Sequence, residues 1–454
     1  MKILLVLHTY AADGDFGSFA LQLIEGFSNT GAEVHVIKAN DLVDGLGATS
    51  MSKALDSDKI RTYFNHNKFD LVFNTNHSGM GGIIKKCIGH TPVISWLVDR
   101  NPFLHAGKCE RNLFRKTNHV ITSSRVNVEN LIRRFGLSED NVHYYPFMTN
   151  PSSFSFVKDK TLNLCFIGSF FVNEGVISDL LLKNYGNKYY SRIMDAIASL
   201  EDDFDQDDRA LVRRIGIRFP LLMQNISAAR FKGSVGNIIS NKKRLDALSA
   251  VSDLGLHLYG TENISALAAY SPRVASCFHS SMYVNSRARL CDVYDRSKIG
   301  VNINHHQATT GLSYRVFDIL ASSALLVTNK QKNSDLDYLF GKDNPIPTYA
   351  TASQLRKICQ HFLQSDSERN QLVRECNKLI AGKHTFDVRA IDIIKIAYPD
   401  FVAKKEKPKV EFIDSRRLLK DESFQKNANS GCGIVDYVRV MSKIYSYAAN
   451  RISS

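Results

Sequence analysis

The first half of the chain alternates short apolar runs with segments whose apolar residues recur every three or four positions. KILLVLHTY (2–10), AEVHVIKA (32–39), FDLVFNTN (69–76), PVISWLVD (92–99), HVITSS (119–124) and VHYYPF (142–147) are bounded apolar runs and predict strands. Between the first two, FGSFALQLIEGFSNTG (16–31) sets Phe19, Leu23 and Phe27 on one helical face, with Gly31 as the stop. Further helices are predicted over 49–62, 82–90 and 126–136. Strands alternating with helices imply a parallel, doubly wound sheet.

A second cycle starts at TLNLCFIGSFF (161–171), after the polar segment NPSSFSFVKDK (150–160), which reads as a linker. Residues 178–250 read as a helical insertion, with EDDFDQDD (201–208) as a solvated loop or helix cap. Strands follow at LGLHLYG (254–260), KIGVNIN (298–304) and ALLVTN (324–329), and helices at 353–365 and 367–381. The charged stretch 401–427 reads as an extended linker, and GIVDYVRVMSKIYSYAANRIS (433–453) as an amphipathic helix. The expected organisation is α/β, with domains over 1–155 and 156–400 and a tail over 401–454.

Composition narrows this picture. Of 454 residues, 44% are hydrophobic and 23% charged, as in ordinary globular chains. No apolar run approaches the ~18 residues of a membrane-spanning helix, and the N-terminus reads as a strand and not a signal peptide. The eight cysteines are scattered without a C-x-x-C, which reads as reduced thiols in a cytoplasmic protein. A net charge of +13 suits phosphate-bearing ligands, nucleic acid or an anionic membrane face. Nucleic acid is disfavoured, because zinc-finger spacing, an RNP-like aromatic stretch and an arginine-rich arm are all missing.

Ligands of open α/β sheets bind at the carboxyl ends of the strands. In the first half those ends carry His8, then Asn74, Asn76 and His77, then Asp99 and His105. In the second they carry Gly168 and Ser169, Tyr259 and Gly260, and Asn304, His305, His306 and Gln307. GMGG (79–82) lacks the lysine of a phosphate loop and reads as a tight turn. Adjacent His305 and His306 point to opposite faces of a strand, so no metal is expected there.

The stretch VNINHHQATTGLSYRVFDILASSALLVTN (301–329) is the most informative. Gly311 precedes a helix whose buried side is Val316, Phe317 and Leu320. A glycine before a helix start exposes backbone N–H groups, and the helix dipole favours an anion there. Arg315, in the first turn, adds a planar charge suited to a diphosphate. Asp318, three residues on, shares its face and suits hydroxyls. An anion beside hydroxyls describes a sugar nucleotide; the alternative is a structural Arg–Asp pair on an ordinary helix.

GLSYRVFDILASSALLVTN, LDYLFG and HTFDVRA (384–390) resemble the C-terminal domain of family-1-type glycosyltransferases, and among them the CgeB-like (spore-maturation-type) group. SWLVDRNPF (95–103), HVITSSRVNVENLIRRFG (119–136), YYPFMTNPSSF (144–154) and LCFIGSFF (164–171) agree with that resemblance, which spans about 1–398. It implies the GT-B fold, two Rossmann-like domains facing across a cleft. It implies transfer of a sugar from a nucleotide sugar, a UDP-sugar first among them, to a hydroxyl of a glycan, lipid-linked or protein acceptor, without a tightly bound cofactor or metal. On this resemblance Gly168, Ser169, Tyr259, Gly260, Asn304, His305, Gln307, Thr310, Gly311, Leu312, Arg315 and Asp318 form the donor side. Many retaining relatives carry two glutamates where this chain has Thr310 and Asp318, so the anomeric outcome stays open. An inverting enzyme needs a base on the acceptor side; Asp99 comes first, then His8 and His105, with Arg315 stabilising the leaving diphosphate. Two other readings remain: a binding protein on a degenerate scaffold, and a nucleotide-sugar epimerase. The basic tail fits a peripheral contact with the inner face of a membrane; the alternative is a helix packed on the domains or between subunits.

Overall fold

The computed structural model describes residues 1–9, 16–42, 56–77, 80, 87–98, 115–156, 159–168, 191, 195, 228–260, 267–268, 271–280, 284, 286–305, 308, 310–331, 333–414 and 418. The helices expected over 49–62 and 82–90 lie partly outside these residues, as does the insertion up to 227, while GMGG apart from Met80, the acidic patch and the helix at 433–453 lie wholly outside.

The chain forms two compact units, one of Met1–Trp96, Ala106–Val120 and Ala390–Ser454, the other of Leu97–His105 and Ile121–Arg389. The strands are β1 (Lys2–Leu7), β2 (Glu33–Lys38), β3 (Leu71–Thr75), β4 (Val93–Leu97), β5 (Asn118–Thr122), β6 (Val142–Tyr144), β7 (Leu162–Ile167), β8 (Leu256–Gly260), β9 (Phe278–Ser280), β10 (Ser297–Asn302), β11 (Leu325–Asn329), β12 (Thr348–Tyr349) and β13 (Lys409–Phe412). The helices are α1 (Ser18–Ser28), α2 (Ser57–Asn67), α3 (Arg125–Phe135), α4 (Ala228–Val251), α5 (Pro272–Ala275), α6 (Arg287–Arg296), α7 (Tyr314–Ala321), α8 (Asp335–Phe340), α9 (Ala352–Gln364), α10 (Asp366–Ile380) and α11 (Phe386–Ala397). None of these is long and apolar enough to cross a membrane.

The first sheet has the order β13-β2-β1-β3-β4-β5-β6. β13, β2, β1, β3 and β4 pair in parallel, and Leu7 lies opposite Lys38. Ile3, Leu4, Leu5 and Val6 are fully buried, which is why this strand reads as a continuous apolar run. α1 buries Phe27 against Phe73, with ring centroids 5.1 Å apart.

The stretch expected as an extended linker is in part an edge strand. β13 pairs with β2, Ile413 N–H donates to the Val36 carbonyl (2.8 Å), and Leu418 is buried in the core of this unit. Lys404 N–H donates to the Thr30 carbonyl (3.0 Å), and a Cβ at Gly31, whose φ is +81°, would meet the Lys404 carbonyl oxygen at 2.7 Å. Gly31 therefore both ends the turn after α1 and lets the returning chain pass. All four residues of β13 are exposed, so backbone pairing and not side-chain burial holds the strand, and no apolar pattern marks it.

The second sheet has the order β12-β11-β10-β7-β8-β9, parallel throughout. Leu164, Phe166, Leu258, Ile299, Val301 and Val327 form its core with Ala247, Leu248 and Val251 of α4 and Leu355 and Phe362 of α9. Val316, Phe317 and Leu320 of α7 are buried as expected. Cys87, Cys165, Cys277, Cys291, Cys359 and Cys376 are free thiols.

Candidate functional site

In the second sheet, β7 and β10 are neighbours, while β8 and β11 lie on opposite sides of that pair. This is a topological switch point, where such sheets bind ligands. Asn302 ends β10. Its Nδ2 donates to Asn304 Oδ1 (3.0 Å) and Thr328 Oγ1 (2.9 Å), and its Oδ1 accepts from the Ser313 hydroxyl (3.2 Å). Asn304 N–H donates to Asn329 Oδ1 (2.7 Å). These residues, Ser313 apart, are buried, and the mutual bonds offset the cost of desolvating their amides. Asn304 thus braces the loop after β10 from within.

That loop docks tightly at its far end. A Cβ at Gly311 would lie 2.1 Å from the Ser123 carbonyl oxygen, so glycine is required by close approach. The Thr310 hydroxyl bonds the Ser124 hydroxyl (3.0 Å), and the Thr310 carbonyl accepts from Asp335 N–H (2.7 Å). Asp335 Oδ2 accepts from Arg125 N–H at the start of α3 (3.1 Å), and burial pushes this carboxyl above its ordinary range. Thr310 is 3% exposed and serves as an anchor.

Ser313 is the N-cap of α7, yet its hydroxyl turns to Asn302 and makes no cap bond. Its side chain therefore caps none of the first N–H groups of α7, an arrangement that suits an anion. Arg315 sits in this first turn, half-buried, with its guanidinium 5.3 Å from the Tyr314 ring centre and its Nε enclosed without a hydrogen-bond partner. Arg244 of α4 is 2% exposed and lies 5.9 Å from the Phe166 ring centre on β7. Burial, and then the positive charge of Arg315, push Arg244 down to about 9. A second positive charge near Arg315 adds to the positive field at the start of α7, which favours an anion.

Asp318 does not stand open beside Arg315 as expected. Its Oδ1 accepts from Arg287 Nη1 (2.7 Å) and from the Thr149 hydroxyl (2.6 Å), and the residue is 1% exposed. Arg287 Nη2 donates to the same Thr149 hydroxyl (2.9 Å). The helix does carry a structural Arg–Asp pair, but its arginine comes from α6. Among the described residues no carboxylate pairs with Arg315, since Asp318 Oδ1 is held by Arg287 and Thr149.

The other expected residues are scattered in role. Gly168 N–H donates to the Tyr259 carbonyl (2.9 Å), and a Cβ at Gly260 would meet the Gly168 carbonyl oxygen at 2.6 Å, so the exits of β7 and β8 touch. The Tyr259 ring is buried and stacks on His279 (5.0 Å), which occupies one of its faces. Leu312 is buried and lines a cavity of about 140 Å³ with Lys330, Asn344 and Thr348. His305 is half-buried, and its carbonyl accepts from Ala308 N–H (2.9 Å). His8 follows β1 in the first unit, bonded to Asn40. Ser169, Gln307, Asp99 and His105 lie outside the described residues. Among the described residues no three His, Cys, Asp or Glu side chains cluster as a metal site.

Arg244, Arg287 and Thr149 were not singled out from the sequence. Arg244 had a legible signal: it falls on the buried stripe of Ala247, Leu248 and Val251, at helical spacing, where a charge is out of place. Arg287 and Thr149 had none, since each matters through a partner distant in sequence.

Residues 242–395, which contain Arg244, Arg287, Arg315 and Asp318, match the family described as Glycosyl transferase-like. No curated protein matches the chain. Among solved structures, sucrose-phosphate synthase from Thermosynechococcus elongatus is similar with a TM-score of 0.52 and 11% identity, over 87% of this chain and 98% of that one. WaaG, a glycosyltransferase involved in lipopolysaccharide biosynthesis, is similar with a TM-score of 0.51 and 9% identity, over 88% and 100%. A glycosyltransferase from Rickettsia africae is similar with a TM-score of 0.50 and 8% identity, over 88% and 98%. The fold is that of the GT-B glycosyltransferases, with two Rossmann-like units. The family match and the fold together support a transferase.

Proposed function

We propose that the protein transfers a sugar from a nucleoside-diphosphate sugar, a UDP-sugar first among donors, to a hydroxyl of a glycan, lipid-linked or protein acceptor. The observation that carries this reading is the pair Arg244 and Arg315 beside the uncapped start of α7, at the switch point of the second sheet. Departure of a nucleoside diphosphate concentrates negative charge on its phosphates. Preorganised guanidiniums and backbone N–H groups stabilise that charge without reorganisation. Asp318 supports the site from behind by tying α7 to Arg287 and Thr149.

The motifs around 298–340 support placement near the CgeB-like group. The exposed Lys404, Lys405, Lys407 and Lys409, with Val402 and Phe412 also exposed, support a peripheral contact with an anionic membrane where lipid-linked acceptors are found. No observation favours the epimerase or binding-scaffold reading over transfer.

The test is a thermal-shift screen of the full chain against nucleoside diphosphates, with Arg315→Ala alongside. A ligand at a hundredfold excess over its dissociation constant stabilises by about 2.7 kcal/mol. A rise with one nucleotide, lost in the variant, is expected. A flat response to every nucleotide would remove the proposal.

A further inference from the structure

The edge strand of the first sheet is held mainly by its backbone, and one buried histidine sits beside it. β13 pairs in parallel with β2, with Lys409 opposite Glu33 and Glu411 opposite His35, and all four of its residues are exposed. On β2, Glu33 and His35 are two positions apart and so share a face of the sheet. His35 is 1% exposed, and the Phe69 ring meets it edge-on at 5.2 Å. A polar ring buried this deeply needs partners for both nitrogens, because an unmet one costs its full desolvation.

The partners point to a charged ring. Nε2 lies 2.9 Å from Glu33 Oε1, and a carboxylate oxygen only accepts, so Nε2 donates. Nδ1 lies 3.0 Å from the Tyr63 hydroxyl on α2 and 3.5 Å from Glu411 Oε2. The Tyr63 hydroxyl itself donates to Glu411 Oε1 (3.5 Å), which leaves its oxygen to accept from Nδ1–H. Two donating nitrogens make an imidazolium, seated between two carboxylates. The hydrogen bond from His35 lowers the Glu33 carboxyl from its ordinary value; burial opposes this, and Lys2, 3.3 Å away, adds to it. Lys2 on β1 and Lys409 on β13 are the register neighbours of Glu33, whereas the β1 neighbour of His35 is Leu4.

We propose that His35 is a proton-operated clasp for the returning C-terminal strap: its imidazolium, held between Glu33 and Glu411, retains β13 on β2, and loss of the ring proton loosens that strand. The sign follows from the bonds. The protonated ring donates to both carboxylate-bearing strands, while the neutral ring keeps one donor and loses the attraction to the other. Retention is therefore full at a pH where the ring is protonated and declines as pH rises. The clasp has leverage because an exposed edge strand buries no side chains that could compensate. Lys404, Lys405 and Lys407 lie exposed just before β13, so the same proton governs how firmly this basic segment is anchored. The clasp operates whatever the chain transfers.

The experiment has two arms, both on the full chain. In the first, ring-¹⁵N histidine spectra report the protonation of His35 at about pH 6, below the ordinary histidine midpoint. The ring is assigned by its loss in His35→Gln or, should that variant not fold, by its shift in Glu411→Gln. Both nitrogens are expected to carry hydrogen. A neutral His35 ring at this pH overturns the inference.

In the second arm, hydrogen exchange by mass spectrometry follows peptides covering β13, corrected for the intrinsic rate at each pH. Protection should fall about tenfold as pH rises from about 5.5 to 9, the scale of one hydrogen bond to a charged group. Peptides of the central strand β1 should keep their protection, which separates local release from global unfolding. Glu411→Gln changes a residue whose side chain is 55% exposed and so leaves the fold intact. It should reduce the fall to about threefold or less, with the pair removed. His35→Gln should show loose β13 peptides at every pH. Protection of β13 that does not change with pH in the native protein overturns the proposal, as does an equal tenfold fall in Glu411→Gln.

Discussion

The two sheets use one design and dress it with opposite chemistry. Each places its switch point beside a central parallel strand, β1 in the first and β7–β10 in the second. At the exit of β1 stand His8 and Asn40, an imidazole hydrogen-bonded to an amide. Near the exits of β7 and β10 stand Arg244 and Arg315, guanidiniums suited to an anion. The comparison teaches that a shared fold locates a site while the side chains at the strand ends decide what it takes.

The largest effect should come from breaking the second unit's internal ion pair. Arg287→Ala leaves the Asp318 carboxylate buried without its cation and should cost about 3–5 kcal/mol by denaturant unfolding. A loss below about 1 kcal/mol would show that Asp318 is solvated and open. Arg315→Ala should cost about 2–4 kcal/mol of transition-state stabilisation in kcat/KM. Arg244→Met should lower kcat/KM by a similar amount. Equal loss of stability and activity in Arg244→Met would make that arginine a structural group.

A pH scan sharpens the picture further. Burial beside Phe317 and Phe340, with Arg389 and Lys383 adding to it, pushes His384 down to about 4 from its ordinary 6.5. The unfolded chain then binds more protons than the native one between those values, so stability should fall on acidification from about pH 6.5 to 4. The His384 contribution is at most about 3 kcal/mol, and His384→Gln should flatten this limb of the melting curve. An unchanged limb would show that the ring is solvated. Gly311→Ala should cost about 1–3 kcal/mol from the overlap with the Ser123 carbonyl. Loss of nucleotide response in that variant, without loss of stability, would show that the loop and not the arginines sets the donor site.

The apolar runs and helical faces were legible because burial on a parallel sheet leaves a continuous signal, as in Ile3–Leu7. The anion site at Gly311 and Arg315 was legible because glycine before a helix start has a local physical meaning. β13 was not, since an exposed edge strand is held by its backbone. Nor was the fate of Asp318, whose sequence neighbour Arg315 is not its partner.

By itself the sequence determined two α/β units, the helix that follows Gly311 and the charge in its first turn, all of which depend on periodicity or on neighbours within one turn. Tertiary structure alone decided that Asp318 belongs to Arg287, that Arg244 is buried where the charge of Arg315 reaches it, and that His8 meets Asn40. Those pairings join residues from 31 to 71 positions apart, and only packing of the sheets and helices brings such groups within range of a hydrogen bond or a charge.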